Sequence, residues 1–301
     1  MTTGYRGRFA PTPSGPLHFG SLLTALASYL DARQANGVWL LRIDDLDGPR
    51  CVPGASETIL EQLQQHGLIW DETPYFQSQQ LAAYESALDA LRTRGLLYRC
   101  RCTRRILRQT ALPGPDAPVY PGSCRDTQVS DEPSALRLRL AEHVEELNDR
   151  WQGLVRRDLQ TQVGDFVVRR VDGQIAYQLA CAIDESRQGI SHVVRGADLL
   201  SSSFAQRTVA RSLNLETPEY GHLPVVVDAS GKKLSKQHHA PPIDGAQAAE
   251  NLRQVLRQLG QAQPPAGSRV NRIIESAISH WNPSAVPNGA EIRVQQSTTC
   301  P

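Results

Sequence analysis

Apolar residues in the first hundred positions of the chain switch between two spacings. Residues 6–10 (RGRFA) read as a short strand. From about Gly20 to Asn36, Leu22, Leu23, Leu26, Tyr29 and Leu30 return every three or four positions, so they share one face of a helix. Asn36-Gly37 is a helix stop. The continuous run VWLLRI at 38–43 is what a parallel strand covered on both faces carries. The acidic residues Asp44, Asp45 and Asp47 follow it directly. Ser56 to Gln65 predicts a second helix closed by Gly67. Ser78 to Arg94 predicts a third, with Leu81, Tyr84, Leu88 and Leu91 at helical spacing and Gly95 as its stop. Strand, helix, strand, helix in this order predicts an α/β fold with a doubly wound parallel sheet.

The pattern changes at residues 99–164, which hold grouped cysteines, a Pro/Gly-rich stretch and the charged segment RLRLAEHVEEL. They read as an insertion between two halves of a nucleotide-binding domain, 1–98 and 165–240. Residues 165–171 and 174–177 predict a hairpin around Asp172-Gly173. ISHVVRG and LPVVVD predict returning sheet strands. Residues 241–301 read as a short helical region, with helices at about 245–259 and 268–281 and a tail that frays from Asn282.

Composition narrows the class. The 301 residues can build one large or two small domains with a real core. Hydrophobic residues at 40% and charged residues at 21% are ordinary for a globular protein. No apolar run reaches the roughly 20 residues of a membrane span. No basic-then-apolar leader opens the chain. A cytoplasmic monomer without a membrane partner is expected. The net charge of +1, from 32 Lys+Arg against 31 Asp+Glu, neither requires nor excludes nucleic acid. Its distribution says more. Lys232, Lys233 and Lys236 are the only three lysines, and every other basic side chain besides histidine is arginine. They fit a site that needs compact ammonium groups in place of planar forks.

Three constellations carry candidate chemistry. The first is PSGPLHFGS, a Pro/Gly loop running into the first helix with His18 near its start. A helix N-terminus presents free N–H groups and a positive dipole end, which together bind anions. Gly15 and Gly20 permit close approach of a ligand. The second is GKKLSKQ at 231–237, directly after the strand LPVVVD, which supplies the positive charge that the first loop lacks. The third is Cys100, Cys102 and Cys124, three of the six cysteines together with Cys51, Cys181 and Cys300. Three thiolates suit Zn²⁺. Buried free cysteines are the plainer alternative. Arg99, Arg101, Arg104, Arg105 and Arg108 around them suit either RNA phosphate or a solvated face.

These segments resemble the class I aminoacyl-tRNA synthetases. PLHFGS is similar to their HIGH motif and KLSKQ to their KMSKS motif. RFAPTPSGPLHFGSL, LLRIDDLD, QSQQLAAYESAL, GLLYRCRCT, YQLACAIDE, HVVRGADLL and HLPVVVDASGKKLSK follow the order of the glutamyl-tRNA synthetase catalytic core. The resemblance spans about residues 6–240. It implies ATP lying across the ends of the parallel strands, bound by His18, Gly20, Ser235 and Lys236, with His18, Lys233 and Lys236 as the catalytic groups. It implies a glutamate pocket of Arg8, Ala10, Thr12, Asp44, Tyr177 and Arg195. Arg8 would take a carboxylate and Asp44 the ammonium. The family commonly has Glu where Asp44 stands, so the carboxylate here reaches one methylene less. Mg²⁺ is expected with the ATP phosphates. Zn²⁺ is expected on Cys100, Cys102 and Cys124, with Tyr120 as the fourth ligand that the related synthetases suggest.

Gln237 is followed by two short helical segments and a polar tail, too little for a large helical anticodon-reading domain. The resemblance then implies ATP-dependent activation of glutamate and its transfer to the queuosine base in the anticodon loop of tRNA(Asp). Two alternatives stay open: a truncated glutamyl-tRNA synthetase that charges the 3′ end of tRNA(Glu), and a non-catalytic RNA-binding module.

Overall fold

A computed structural model describes residues 4–127, 129, 133–227 and 241–293. Strand β1 (Arg6–Phe9) leads through the Pro/Gly loop into helix α1 (Phe19–Gln34) and returns as β2 (Val38–Ile43). Helix α2 (Ala55–Gln65), the two-residue strand β3 (Tyr75–Phe76) and helix α3 (Leu81–Thr93) follow. β1 pairs parallel with β2, Arg6 opposite Val38 and Phe9 opposite Leu41, and β2 pairs parallel with β3.

β2 shows why its sequence is apolar throughout. Trp39, Leu41 and Ile43 enter one hydrophobic core with α1, while Leu40 enters a second core with α3. Successive side chains of a strand point to opposite faces, so both faces of this sheet are covered by helices.

Strand β4 (Leu97–Cys100), helix α4 (Arg104–Thr110) and strands β5 (Ala135–Leu138), β6 (Val144–Asp149), β7 (Gly153–Asp158) and β8 (Val167–Arg169) make up the middle of the chain. β4, β5 and β8 form an antiparallel sheet, and β6 and β7 form a hairpin. The expected boundaries at 99 and 164 therefore cut across one sheet. The expected hairpin at 165–177 shrinks to one bridge between Arg169 and Ile175. The reason is that Tyr177 already opens helix α5 (Tyr177–Arg187), whose Leu179, Ala180 and Ile183 face the second core.

After α5 come strand β9 (His192–Gly196), helix α6 (Leu200–Ser212) and strand β10 (Glu219–Leu223). β9 and β10 pair in parallel. β9 lies against β1, where the Ser191 N–H donates to the Arg6 carbonyl at 3.0 Å. The segment LPVVVD is not one strand: Pro224, which has no N–H to donate, separates β10 from β11 (Val225–Val227).

Helices α7 (Ala248–Gln258) and α8 (Val270–Ser279) bury Leu252, Val255, Leu256, Ile273 and Ile274 in the core of α1. The tail does not fray at Asn282. Trp281 is 3% exposed and donates its indole N–H to Asp31 at 2.9 Å. The Pro283 carbonyl accepts from the Trp151 indole at 2.9 Å. Strand β12 (Glu291–Arg293) then pairs parallel with β11. Two buried indoles hold the chain in place as far as a strand too short to leave a periodic signal. Among the described residues no helix is long and apolar enough to cross a membrane.

Candidate active site

A cleft of about 520 Å³ opens at the carboxyl ends of β1 and β9. Here the chain leaves neighbouring strands in different directions, the usual place for a ligand in an open α/β sheet. Ala10, Thr12, His18 and Gly20 line it from the β1 side, and Tyr177, Arg195 and Val225 from the other. Arg8 also reaches it.

The loop from β1 to α1 is set by its residue types. Gly15 sits at φ +122°, a conformation that disfavours any side chain. His18 is the N-cap of α1, extended at φ −116° and ψ 174°, and its Nδ1 accepts the Ser21 N–H at 3.3 Å. With Nδ1 an acceptor, the neutral ring carries its proton on Nε2. No acidic residue occupies the first turn of α1, which leaves the positive end of the helix dipole uncancelled from within the helix.

Lys233, Ser235 and Lys236 lie outside the described residues. The residues on either side of that segment do not. Val225 and Val226 line the cleft, and Pro242 forms a β-bridge with His18. Gln62 ties this junction together: its Oε1 accepts the Leu17 N–H at 2.7 Å and its Nε2 donates to the Ile243 carbonyl at 2.8 Å.

Arg8 is 3% exposed and its Nε donates to both oxygens of Glu185, at 3.0 and 3.1 Å. One Nη1 hydrogen goes to the Val194 carbonyl at 3.3 Å. Its Nη2 makes no hydrogen bond among the described residues and is left for an incoming acceptor. Glu185 also lies 3.3 Å from Arg42. Burial works against its ionisation, but the guanidinium groups of Arg8 and Arg42 outweigh it and hold the carboxyl below its usual range.

Asp44 stands at the end of β2 but does not line the cleft. Its Oδ1 accepts from Arg42 Nε at 2.7 Å and its side chain is 8% exposed. Arg42 engages the carboxylate that the family resemblance gives to a substrate ammonium.

Arg195 is held on every nitrogen. Nε donates to His222 Nε2 at 3.0 Å, Nη2 to Ser203 Oγ at 2.7 Å and to the Leu199 carbonyl at 3.2 Å, and Nη1 to Gln206 Oε1 at 2.9 Å. The longest contact, Nη1 to the Tyr177 hydroxyl, measures 3.5 Å. Behind it, His222 Nδ1 lies 2.5 Å from Asp149 Oδ2. Burial holds the His222 imidazole neutral, aided by the Arg195 charge and opposed by Asp149.

The cysteine constellation assembles. The Sγ atoms of Cys100, Cys102 and Cys124 lie within 4.8 Å of one another. The Tyr120 hydroxyl sits 3.4 Å from Cys100 Sγ and 3.8 Å from Cys102 Sγ. Three sulfurs and one phenolic oxygen around a common point fit a four-coordinate Zn²⁺. The Arg137 guanidinium, 3.7 Å from the Tyr120 ring centroid, offsets the negative charge of such a donor set. Arg104, Arg105 and Arg108 on α4 face solvent.

Sequence reasoning passed over Glu185, Arg42, Gln62, His222 and Asp149. For Arg42 a signal existed: a charged residue in an apolar run that is covered on both faces must be paired.

This sheet, with a histidine-capped helix at its carboxyl edge, is the frame of a class I aminoacyl-tRNA synthetase. The chain belongs to that family: residues 5–259 match tRNA synthetases class I (E and Q), catalytic domain. It is 49% identical over 295 residues to the glutamyl-Q tRNA(Asp) synthetase of Burkholderia cenocepacia, covering 93% of this chain and 97% of that one. It is 45% identical over 294 residues to the protein of the same name from Pseudomonas aeruginosa, covering 97% and 98%. Among solved structures, the glutamate tRNA ligase of Elizabethkingia meningosepticum, in complex with its amino acid, superposes with a TM-score of 0.79 at 26% identity. That match covers 97% of this chain and 67% of the ligase.

Proposed function

We propose that the chain activates glutamate with ATP and transfers it to the queuosine base of tRNA(Asp). The observation that carries the reading is the convergence of Arg8, Tyr177 and Arg195 on the same cleft as the His18-capped helix. Similarity to glutamyl-Q tRNA(Asp) synthetases over nearly their whole length supports the choice of acceptor.

In this reading the free Nη2 of Arg8 and the loosest hydrogen of Arg195 take glutamate carboxylate oxygens. Planar guanidinium forks suit that task. The N-terminus of α1 and the Nε2–H of His18 hold the ATP phosphates, and Lys233, Ser235 and Lys236 reach them from the segment between Val227 and Pro242. The α-carboxylate oxygen attacks the α-phosphorus, the bond to the bridging oxygen of the β-phosphate breaks, and pyrophosphate leaves. A queuosine hydroxyl then attacks the acyl carbon and AMP leaves. Rate comes from holding the two reactants in line and from positive charge placed where negative charge grows. Mg²⁺ would arrive on the ATP and neutralise its phosphates. Cys100, Cys102, Cys124 and Tyr120 would hold a structural Zn²⁺ that fixes β4 to the loop after α4. Asp44 contributes charge from behind Arg42 and does not grip the ammonium directly.

The test is charging of purified tRNAs with labelled glutamate. tRNA(Asp) carrying queuosine should accept it and tRNA(Asp) lacking queuosine should not. Charging of both alike, or of tRNA(Glu) at its 3′ end, would overturn the reading.

A further inference from the structure

The groups behind Arg195 form a chain with a defined proton order. An ionised carboxylate only accepts, so the 2.5 Å contact to Asp149 puts the His222 proton on Nδ1. Nε2 is then bare and accepts from Arg195 Nε. Both side chains are fully buried. Asp149 cannot swing, because its other oxygen accepts the N–H groups of Trp151, Gln152 and His222 at 3.1, 3.0 and 3.0 Å. It is the last residue of β6, paired with Gly153 across the β6–β7 hairpin, so this anchor comes from the middle segment and not from the parallel sheet.

We propose that Asp149 and His222 are positioning residues for amino-acid recognition: Asp149 fixes the His222 tautomer, and His222 fixes the Arg195 fork toward the cleft. The proposal rests on the reading of the cleft as the glutamate pocket. With Nε held by His222, the terminal nitrogens meet Ser203, Leu199 and Gln206, and the one hydrogen with only a 3.5 Å contact points to Tyr177 at the cleft. That hydrogen is the one a carboxylate can claim. If the proton sat on Nε2, two donors would face each other and the fork would have to turn away.

Asp149→Asn tests this with little change in shape. The amide oxygen can still cap the turn, but the amide nitrogen now faces Nδ1 and drives the His222 proton to Nε2. In glutamate-dependent pyrophosphate exchange, the glutamate KM should rise about tenfold, the effect of one weakened charge-assisted bond. The ATP KM and kcat should stay within about twofold. Nitrogen-15 spectra of the imidazole should show the Nδ1–H tautomer in the parent and Nε2–H in the variant. His222→Gln, whose oxygen can accept from Arg195, should keep a glutamate KM nearer the parent's than His222→Leu. If Asp149→Asn does not fold, the parent tautomer and the His222 pair still decide. A parent imidazole in the Nε2–H form, or equal rises in both KM values, would overturn the proposal. Arg195→Ala separates the two levels. An unchanged glutamate KM there would remove the glutamate reading itself. A raised one beside a normal Asp149→Asn would remove only the positioning role.

Discussion

Glu185 takes the Nε–H of Arg8 on both its oxygens, at 3.0 and 3.1 Å, with both side chains almost fully buried. A residue on α5 thereby decides where a guanidinium on β1 points. The same carboxylate stands against Arg42, so it balances two buried cations.

Removal of that anion should therefore be costly. Glu185→Ala takes from two buried guanidinium groups the carboxylate they share, and breaking a buried pair costs about 3–5 kcal/mol. Chemical denaturation should show a loss of that order. Glu185→Gln, which keeps an acceptor for Arg8, should lose less. Equal stability of parent and alanine variant would mean that the pair contributes nothing.

Lys236→Ala should lower glutamate-dependent pyrophosphate exchange by about 100-fold, as expected when one charge aimed at a transition state is removed. Its melting temperature should match the parent's. Near-normal exchange would take Lys236 out of the chemistry.

Metal analysis of freshly purified, unchelated protein should find one zinc per chain. Cys102→Ser should lose it, with faster proteolysis confined to the segment around α4. A parent free of zinc would rule out a metal role for the three thiols.

Acid should destabilise the fold through two fully buried histidines. His66 Nδ1 donates to the Gln62 carbonyl at 2.7 Å while Nε2 accepts from Asn251 at 3.1 Å, and burial holds the ring neutral. His222 is lowered as well, again chiefly by burial. Unfolded histidine titrates near 6.5. As pH falls below that, the unfolded chain takes up protons that the fold refuses, so stability is lost, by up to about 1.4 kcal/mol per pH unit for each ring. Asp184 works in the other direction. Pushed up to about 6 by burial, it binds a proton in the fold before the unfolded chain does and adds stability as pH falls through that value. Melting temperatures at pH 7.5, 6.5 and 5.5 should fall, and fall less in His66→Gln. Identical acid slopes in the two proteins would refute the assignment.

What the sequence revealed and what it hid divide along a physical line. α1 and β2 were legible because burial of one helix face, or of both strand faces, leaves a local period. The His18 loop was legible because Gly and Pro punctuate it. The Cys100, Cys102 and Cys124 group was legible because three thiols stand close in the chain. The partners of Arg8 and Asp44 were not, since a pairing such as Arg8 with Glu185 spans the sheet and imprints no period on either segment. The resemblance gave Asp44 to the substrate ammonium, and its partner Arg42 looked like an ordinary strand residue. β12 escaped because three residues hold no repeat and what anchors them is a pair of indoles elsewhere.

The pairing of β12 with β11 sets an order on synthesis. β11 borders the cleft and runs toward the lysine segment, yet its strand partner lies more than a whole helical pair further along the chain. Domains form as the ribosome releases them. The remainder of the sheet can assemble while translation continues, but this wall stays a bare edge until residue 293 has left the exit tunnel. A nascent chain would then gain most of its fold before this border of the cleft found its strand partner.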